Sequence, residues 1–313
     1  MLTKEQEALL KEHEAKYMQY MSDFEAMGGD FTSCGGNCNS CSSQCADSTV
    51  KGGSGKGSTN AQGVQTVGET EKTPKLAQRI VAVFSGKGGT GKSVITCLLA
   101  DMLTKAGKKV AILDADLENP SIHYLYGKLD PCSAEGEKLL PMVSDSGVEF
   151  MSMGNVEKDA TQPLLSYGKD IAEGALLFYM NVKWSSDLDF MLIDMPSGIG
   201  DVPLQIGTII PFDGGVCVSN PSDLCDFLAL KSVNLMRMIM IPVVGVIENK
   251  CSIALQDGQV LLGTEPKAHA EALDLNLLAE VPLSLELSVM ADFGRICDAE
   301  VPELQQAVDV LMR

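Results

Sequence analysis

The most constraining feature of the sequence is a glycine-rich loop between an apolar strand and a helix. Residues 79–85 read RIVAVFS, residues 86–93 read GKGGTGKS, and a helical pattern follows as VITCLLADMLTKAG. The loop fits G-x-x-x-x-G-K-[ST], in which backbone amides and the positive end of the helix converge on phosphate oxygens. The strand, loop and helix together predict an α/β fold with a phosphate-binding site at the loop.

The residue types in the loop have separate expected roles. Lys92 can neutralise the β- and γ-phosphate oxygens, and the hydroxyl of Ser93 can ligate Mg²⁺. The backbone that surrounds the phosphates is expected to come from Gly86, Gly88, Gly89, Thr90 and Gly91. One lysine is enough to hold a phosphate, so the second lysine, Lys87, requires its own explanation.

Seven short apolar runs predict the strands of the fold. Helix-length segments separate several of them, which is typical of a mainly parallel sheet sandwiched by helices. A hydrophobic fraction of 45% is sufficient for a core of this kind. The runs are residues 79–85, 108–114, 148–154, 188–195, 214–220, 243–249 and 277–283.

Acidic residues lie at or just after the carboxyl ends of two of these runs. Asp114 and Asp116 occur in LDADLENPSIH, and Asp194 occurs in MLIDMPSGIGD. Open α/β sheets bind their ligands at the carboxyl ends of the strands, so we expect these carboxylates near the loop. Gly198 and Gly200 would allow the segment after Asp194 to move on hydrolysis.

The composition divides the chain into four parts. Residues 1–30 read as an amphipathic helix, 31–47 hold a four-cysteine motif, 48–77 form a flexible linker, and 78–313 form the α/β domain. The longest apolar run, residues 238–247, is too short to span a bilayer, and no secretory leader is visible. We therefore expect a cytoplasmic protein.

The motif C-x₃-C-x₂-C-x₃-C consists of Cys34, Cys38, Cys41 and Cys45. Its Gly, Asn and Ser neighbours offer nothing that would bury the thiols, and they allow the backbone to wrap a [4Fe–4S] cluster and donate to its sulfurs. Zinc is an alternative, although structural zinc prefers cysteine pairs that are well separated along the chain. Redox-active or free thiols are a third possibility.

The net charge of −18 restricts the partners. Most of the acidic excess lies in the α/β domain, and such a surface repels phosphate backbones and anionic lipid. We therefore expect neither nucleic acid nor a membrane as a partner.

Taken in order, SGKGGTGKS, LDADLENPSIH and PVVGVIENK resemble the Mrp-type ATPases, iron–sulfur carriers of the MinD/ParA class of P-loop ATPases. The resemblance spans residues 78–305, and the Nbp-type relatives also carry four N-terminal cysteines, although with a different spacing. It implies a homodimer in which Lys87 contacts the ATP of the partner subunit and acts as a catalytic residue together with Lys92 and Asp116. It also implies that Asp114 supports the Mg²⁺ shell, that Asp194 is the Walker B acid, and that Asn249 reads the adenine.

The function implied is an ATP-hydrolysing scaffold or carrier that assembles iron–sulfur clusters or transfers them to apoproteins. The chain departs from the family where C-x-x-C usually follows Asn249, because Cys251 stands there alone. Ser197 also replaces a proline that is usual in the family.

Three other functions have the same fold. A ParA/MinD-type positioning ATPase would need a basic surface or an amphipathic C-terminal helix, whereas residues 301–313 are acidic on balance. A nitrogenase-type reductase would need a cysteine just after Asp201, where the chain has Val-Pro-Leu. A nickel-insertion ATPase remains open at this level.

Overall fold

A computed structural model describes residues 73–156, 168–255 and 258–313 of the 313-residue chain. The predicted N-terminal helix, the four-cysteine motif and most of the predicted linker lie outside the described residues. The strands are β1 (Arg79–Phe84), β2 (Val110–Asp114), β3 (Ala134–Glu135), β4 (Lys138–Leu139), β5 (Met142–Val143), β6 (Glu149–Met151), β7 (Phe190–Asp194), β8 (Gly214–Ser219), β9 (Val243–Asn249), β10 (Ser252–Leu255), β11 (Gly258–Leu261) and β12 (Leu277–Val281). The helices are α1 (Lys92–Lys105), α2 (Ile122–Leu125), α3 (Gly168–Asn181), α4 (Asp201–Ile209), α5 (Asp223–Met238), α6 (Pro266–Ala272), α7 (Leu285–Asp292) and α8 (Gln305–Met312).

Eight strands form one sheet in the order β12-β9-β8-β1-β7-β2-β6-β5. All neighbouring pairs are parallel except β5 and β6, which are antiparallel. Each of the seven apolar runs contains one strand of this sheet, so the predicted mainly parallel sheet is confirmed. The edge strand β5 and the hairpins β3–β4 and β10–β11 were not predicted, because strands of two to four residues carry too little periodicity.

Helices cover both faces of the sheet, and β1 shows why. Ile80, Ala82 and Phe84 belong to one buried cluster, to which helices α3, α4, α5 and α6 contribute side chains. Val81 and Val83 belong to a second cluster with residues of α1 and α8. Because successive side chains of a strand point to opposite faces, a strand buried on both sides is apolar throughout.

Strand β1 lies between β8 and β7, and the glycine-rich loop extends from its carboxyl end into α1. On the adjacent pair β2 and β7, Asp114 and Asp194 are partners in register. The sheet therefore places both carboxylates beside the loop. No helix in the described part of the chain combines the length and apolar character needed to cross a bilayer.

Candidate nucleotide-binding site

The loop after β1 encloses a cavity of about 440 Å³. Most of the predicted loop residues line this cavity, and Asp116 reaches it from the carboxyl end of β2. The lining residues are Ser85, Lys87, Gly88, Gly89, Thr90, Gly91, Lys92, Ser93, Val94, Asp116, Asn119, Ser121, Leu125 and Ser197. Four predicted residues do not line the cavity but lie next to residues that do: Gly86, Asp114, Asp194 and Asn249.

Two loop glycines are required for packing. Gly91 has φ of +87°, and a Cβ atom there would lie 2.2 Å from Nδ2 of Asn249. A Cβ atom at Gly86 would lie 2.4 Å from the backbone carbon of Leu228 in α5. Gly86 therefore contributes to the site by letting the loop approach α5, in addition to any contact with phosphate.

Asp194 connects the loop to α1. The fully buried carboxylate accepts from Ser93 Oγ at 2.6 Å and from Thr96 Oγ1 at 2.8 Å, and it forms an ion pair with Lys92 Nζ at 2.9 Å. Thr96 lies one helical turn beyond Lys92, so helical spacing was the signal that could have identified it. The loop lysine and the first hydroxyl of α1 are thus held by one acid.

Asp114 is also fully buried, but its two oxygens differ. Oδ2 accepts from Ser152 Oγ at 2.7 Å and from the backbone amides of Ser121 and Ile122 at 3.0 and 3.2 Å. Oδ1 has no hydrogen-bond partner among the residues that the structure describes. Burial, and next the charge of Asp194, raise the pKa of Asp114 to about 7.

These oxygens fit Mg²⁺. The cation prefers oxygen ligands, and the site offers the Ser93 hydroxyl, the carboxylate of Asp194 and the unpartnered Oδ1 of Asp114. A buried carboxylate oxygen without a partner is costly unless a ligand uses it. The donor set therefore supports the predicted Mg²⁺ role of Ser93.

Asp116 and Lys87 face the cavity with few internal partners. Asp116 is partly buried, and its Oδ1 accepts from the backbone amide and side chain of Asn119 at 3.3 and 3.4 Å. Burial raises the pKa of Asp116. The amine of Lys87 has no ion-pair partner among the residues that the structure describes, so it is available to a phosphate.

Asn249 supports the loop from the end of β9. It is buried, its Nδ2 donates to the carbonyl of Thr90 at 2.7 Å, and its Oδ1 accepts from the amide of Lys250 at 3.0 Å. It also lines a smaller cavity of about 210 Å³ next to the loop, together with Gly91 and residues 282–284. Its contact with adenine stays a prediction, and its contact with the loop is a finding.

Three ionisable side chains in contact with each other lie next to Asn249, and the sequence analysis did not predict them. Nδ1 of His269 is 2.5 Å from Glu248 Oε1, and Nε2 is 3.1 Å from Asp226 Oδ1. Burial alone would lower the pKa of His269, but Glu248 and Asp226 together outweigh it, so that the pKa is raised. The three residues come from β9, α6 and α5, and local spacing could not have indicated the contact.

Four of the cysteines in the described residues are buried. Cys97 and Cys217 are fully buried in the two cores. Cys251 is buried too, and its thiol donates to the carbonyl of Val281 at 3.4 Å. Within the described ranges, no group of three or more His, Cys, Asp or Glu side chains could hold a metal ion.

Comparison with known proteins places this geometry in a family. Residues 76–312 match the family described as "ParA: NUBPL iron-transfer P-loop NTPase". An "iron-sulfur cluster carrier protein" from Pseudomonas fragi is 35% identical over 230 residues, which cover 71% of this chain and 79% of that protein. A protein of the same description from Methanocaldococcus jannaschii is 32% identical and covers 72% of this chain and 79% of its own length.

Two solved structures are similar to this chain over about three quarters of its length. A nucleotide-binding protein from Archaeoglobus fulgidus in complex with ADP has a TM-score of 0.64 and 32% identity, covering 73% of this chain and 91% of the other. The cell division ATPase MinD from Pyrococcus furiosus has a TM-score of 0.58 at 20% identity, covers 75% of this chain and 97% of its own, and shows the shared fold. The chain belongs to the ParA/NUBPL family of iron-transfer P-loop NTPases.

Proposed function

We propose that the protein is an ATP-hydrolysing iron–sulfur scaffold or carrier that acts as a cytoplasmic homodimer and passes [4Fe–4S] clusters to apoproteins. One observation carries the proposal: a single chain joins the four-cysteine motif of residues 31–47 to the nucleotide site of this family. The names of the bacterial and archaeal relatives support the same function. The boundaries proposed for its parts remain 1–30, 31–47, 48–77 and 78–313.

The nucleotide site contains the groups that hydrolysis requires. Lys92 balances the charge of the terminal phosphates, and Asp116 orients the attacking water. Mg²⁺, when bound by Ser93 and the neighbouring carboxylates, neutralises charge on the phosphate oxygens. Lys87 of each subunit stabilises the charge that develops on the ATP of the other subunit.

The role of Lys87 is tested with Lys87→Ala in the full-length protein. We expect ATP binding to persist while turnover falls about 10³-fold, the scale known for a trans-acting cation. Lys105→Ala, an exposed lysine at the end of α1, is the matched control. Turnover equal to that of the wild type, or a protein that stays monomeric with a non-hydrolysable ATP analogue, would contradict the proposal.

The cluster is tested by anaerobic reconstitution. Each donor of the proposed site is a thiolate, the ligand that iron–sulfur clusters use. We expect stoichiometric iron and sulfide and a [4Fe–4S] Mössbauer spectrum, with loss of both when Cys34, Cys38, Cys41 and Cys45 become serine. The control is the variant Cys132→Ser, Cys297→Ser, which removes the two partly exposed cysteines of the described residues. Zinc or nickel without sulfide would favour a structural zinc site or a nickel-insertion ATPase instead.

A further inference from the structure

Buried polar side chains lie next to Asp114, on the side opposite to Asp194. Ser152 follows β6, Asp114 ends β2 and Asp194 ends β7, and these strands are neighbours in the order β7-β2-β6. In register, Leu113 pairs with Met151, and Asp114 pairs with Asp194. The sheet therefore sets the Ser152 hydroxyl and the two carboxylates side by side at one edge.

The hydrogen bonds among these side chains have a fixed direction. Ser152 Oγ lies 2.7 Å from Asp114 Oδ2 and 3.2 Å from His123 Nδ1. Ser152 Oγ donates its one proton to Asp114 Oδ2, which is the acceptor of this hydrogen bond. The remaining contact requires that His123 donates from Nδ1 to Ser152, which selects the Nδ1–H tautomer.

The ring of His123 is held in place by its surroundings. His123 is 7% exposed, and a Cβ atom at Gly154 would lie 2.1 Å from its Cε1. Any side chain at position 154 would displace the ring. The backbone of α2 acts on the same acid, because the amide of Ile122 donates to Asp114 Oδ2 at 3.2 Å.

Within the described part of the chain, the donors to Asp114 therefore converge on Oδ2, and Oδ1 accepts no hydrogen bond. Ser152 is fully buried, so solvent water does not compete with Asp114 for its hydroxyl proton. Removing this hydroxyl would leave only the two backbone amides on Oδ2, so the carboxylate would be held less firmly. We propose that Ser152 and His123 are positioning residues that fix the Asp114 carboxylate and thereby leave its Oδ1 available to Mg²⁺.

This inference rests on the proposed nucleotide function, and it is tested by equilibrium binding of a fluorescent ATP analogue to the full-length protein over a range of Mg²⁺ concentrations. We expect Ser152→Ala to raise the Mg²⁺ concentration for half-maximal binding about tenfold, the scale of one hydrogen bond to a charged group. His123→Leu should shift it by several-fold, and His123→Asn, which keeps a donor near Nδ1, should restore it. Binding in the presence of EDTA should be the same for all variants.

The matched control is Ser232→Ala, which removes a buried hydroxyl of α5 that has no hydrogen-bond partner in the described ranges. Equal Mg²⁺ midpoints for the wild type, Ser152→Ala and His123→Leu would overturn the inference alone, as would an equal shift in Ser232→Ala. A wild type that binds no nucleotide would overturn the proposed function and the inference with it. If Ser152→Ala fails to fold, the two His123 variants decide the question, because they leave the Ser152 hydroxyl in place.

Discussion

Single residues determine the shape of the phosphate loop. Gly91 is the N-cap of α1 and adopts a left-handed conformation, and the amide of Asn249 occupies the space where its side chain would be. Asn249 in turn donates to the carbonyl of Thr90. The side-chain amide of Asn249 therefore supports the loop, and it fits there only because residue 91 is a glycine.

Gly91→Ala should both destabilise the protein and weaken nucleotide binding. The left-handed conformation alone costs an alanine about 1–2 kcal/mol, and the contact with Asn249 adds to that cost. Urea unfolding and binding of a fluorescent ATP analogue measure the two effects. Gly107→Ala is the control, because Gly107 has φ of +84° but nothing within 4 Å of an added Cβ. Equal effects of the two substitutions on stability and binding would show that the Asn249 contact is unimportant.

At the scale of elements, the end of β9 joins the nucleotide site to two helices. Asn249 holds the loop, and the preceding residue, Glu248, pairs with His269 of α6, which pairs with Asp226 of α5. Glu248 and His269 are almost completely buried. A buried charge of this kind is tolerated only while it is paired, so the three elements are expected to move together.

His269 makes the stability of this junction depend on pH. Because its pKa is raised on folding, the protonated ring stabilises the native state fully below the ordinary value of 6.5, and this contribution is lost as the pH rises through the folded pKa. We expect His269→Gln to cost about 3 kcal/mol near pH 6 and clearly less near pH 8.5, measured by urea unfolding.

The control for this prediction is His123→Gln. Burial lowers the pKa of His123. The free energy of unfolding that His123→Gln loses relative to the wild type should therefore be larger at high pH than at low pH, the opposite of His269→Gln. The raised pKa values of Asp101 and Asp114 affect the wild type and His269→Gln alike and largely cancel in that comparison. A difference for His269→Gln that does not vary with pH would contradict the prediction.

At the scale of the whole molecule, the net charge is the basis for the partners that we expect for this chain. The MinD protein from Pyrococcus furiosus shares the fold, and a fold does not specify a partner. The net charge of −18 produces an electrostatic potential that repels nucleic acids and anionic membranes.

The full-length protein with ATP should therefore not associate with DNA or with anionic vesicles at about 150 mM salt. Non-specific DNA binders reach dissociation constants of roughly 10⁻⁴ to 10⁻⁶ M under such conditions through basic side chains. Co-sedimentation with DNA and with phosphatidylserine vesicles measures this, and a polybasic peptide serves as the positive control. Saturable binding at micromolar protein would revive a positioning function.

Much of the fold could be predicted because strands buried on both faces are apolar along their whole length. The loop, Asp114 and Asp194 could be predicted for a related reason, since parallel strands bring their carboxyl ends to one edge. Strand β5 and the two hairpins could not, because they are short and lie outside the repeating pattern. Thr96 could have been found from helical spacing.

The sheet, the phosphate loop and the acids beside it could be predicted from the amino-acid sequence, because periodicity and local motifs encode these features along a continuous stretch of chain. Three features came from the folded structure alone: Oδ2 rather than Oδ1 of Asp114 accepts the hydrogen bonds, Asn249 supports the loop, and Glu248 contacts His269, which contacts Asp226. Those contacts join residues from separate elements. Their geometry depends on how the strands and helices pack, which no local spacing records.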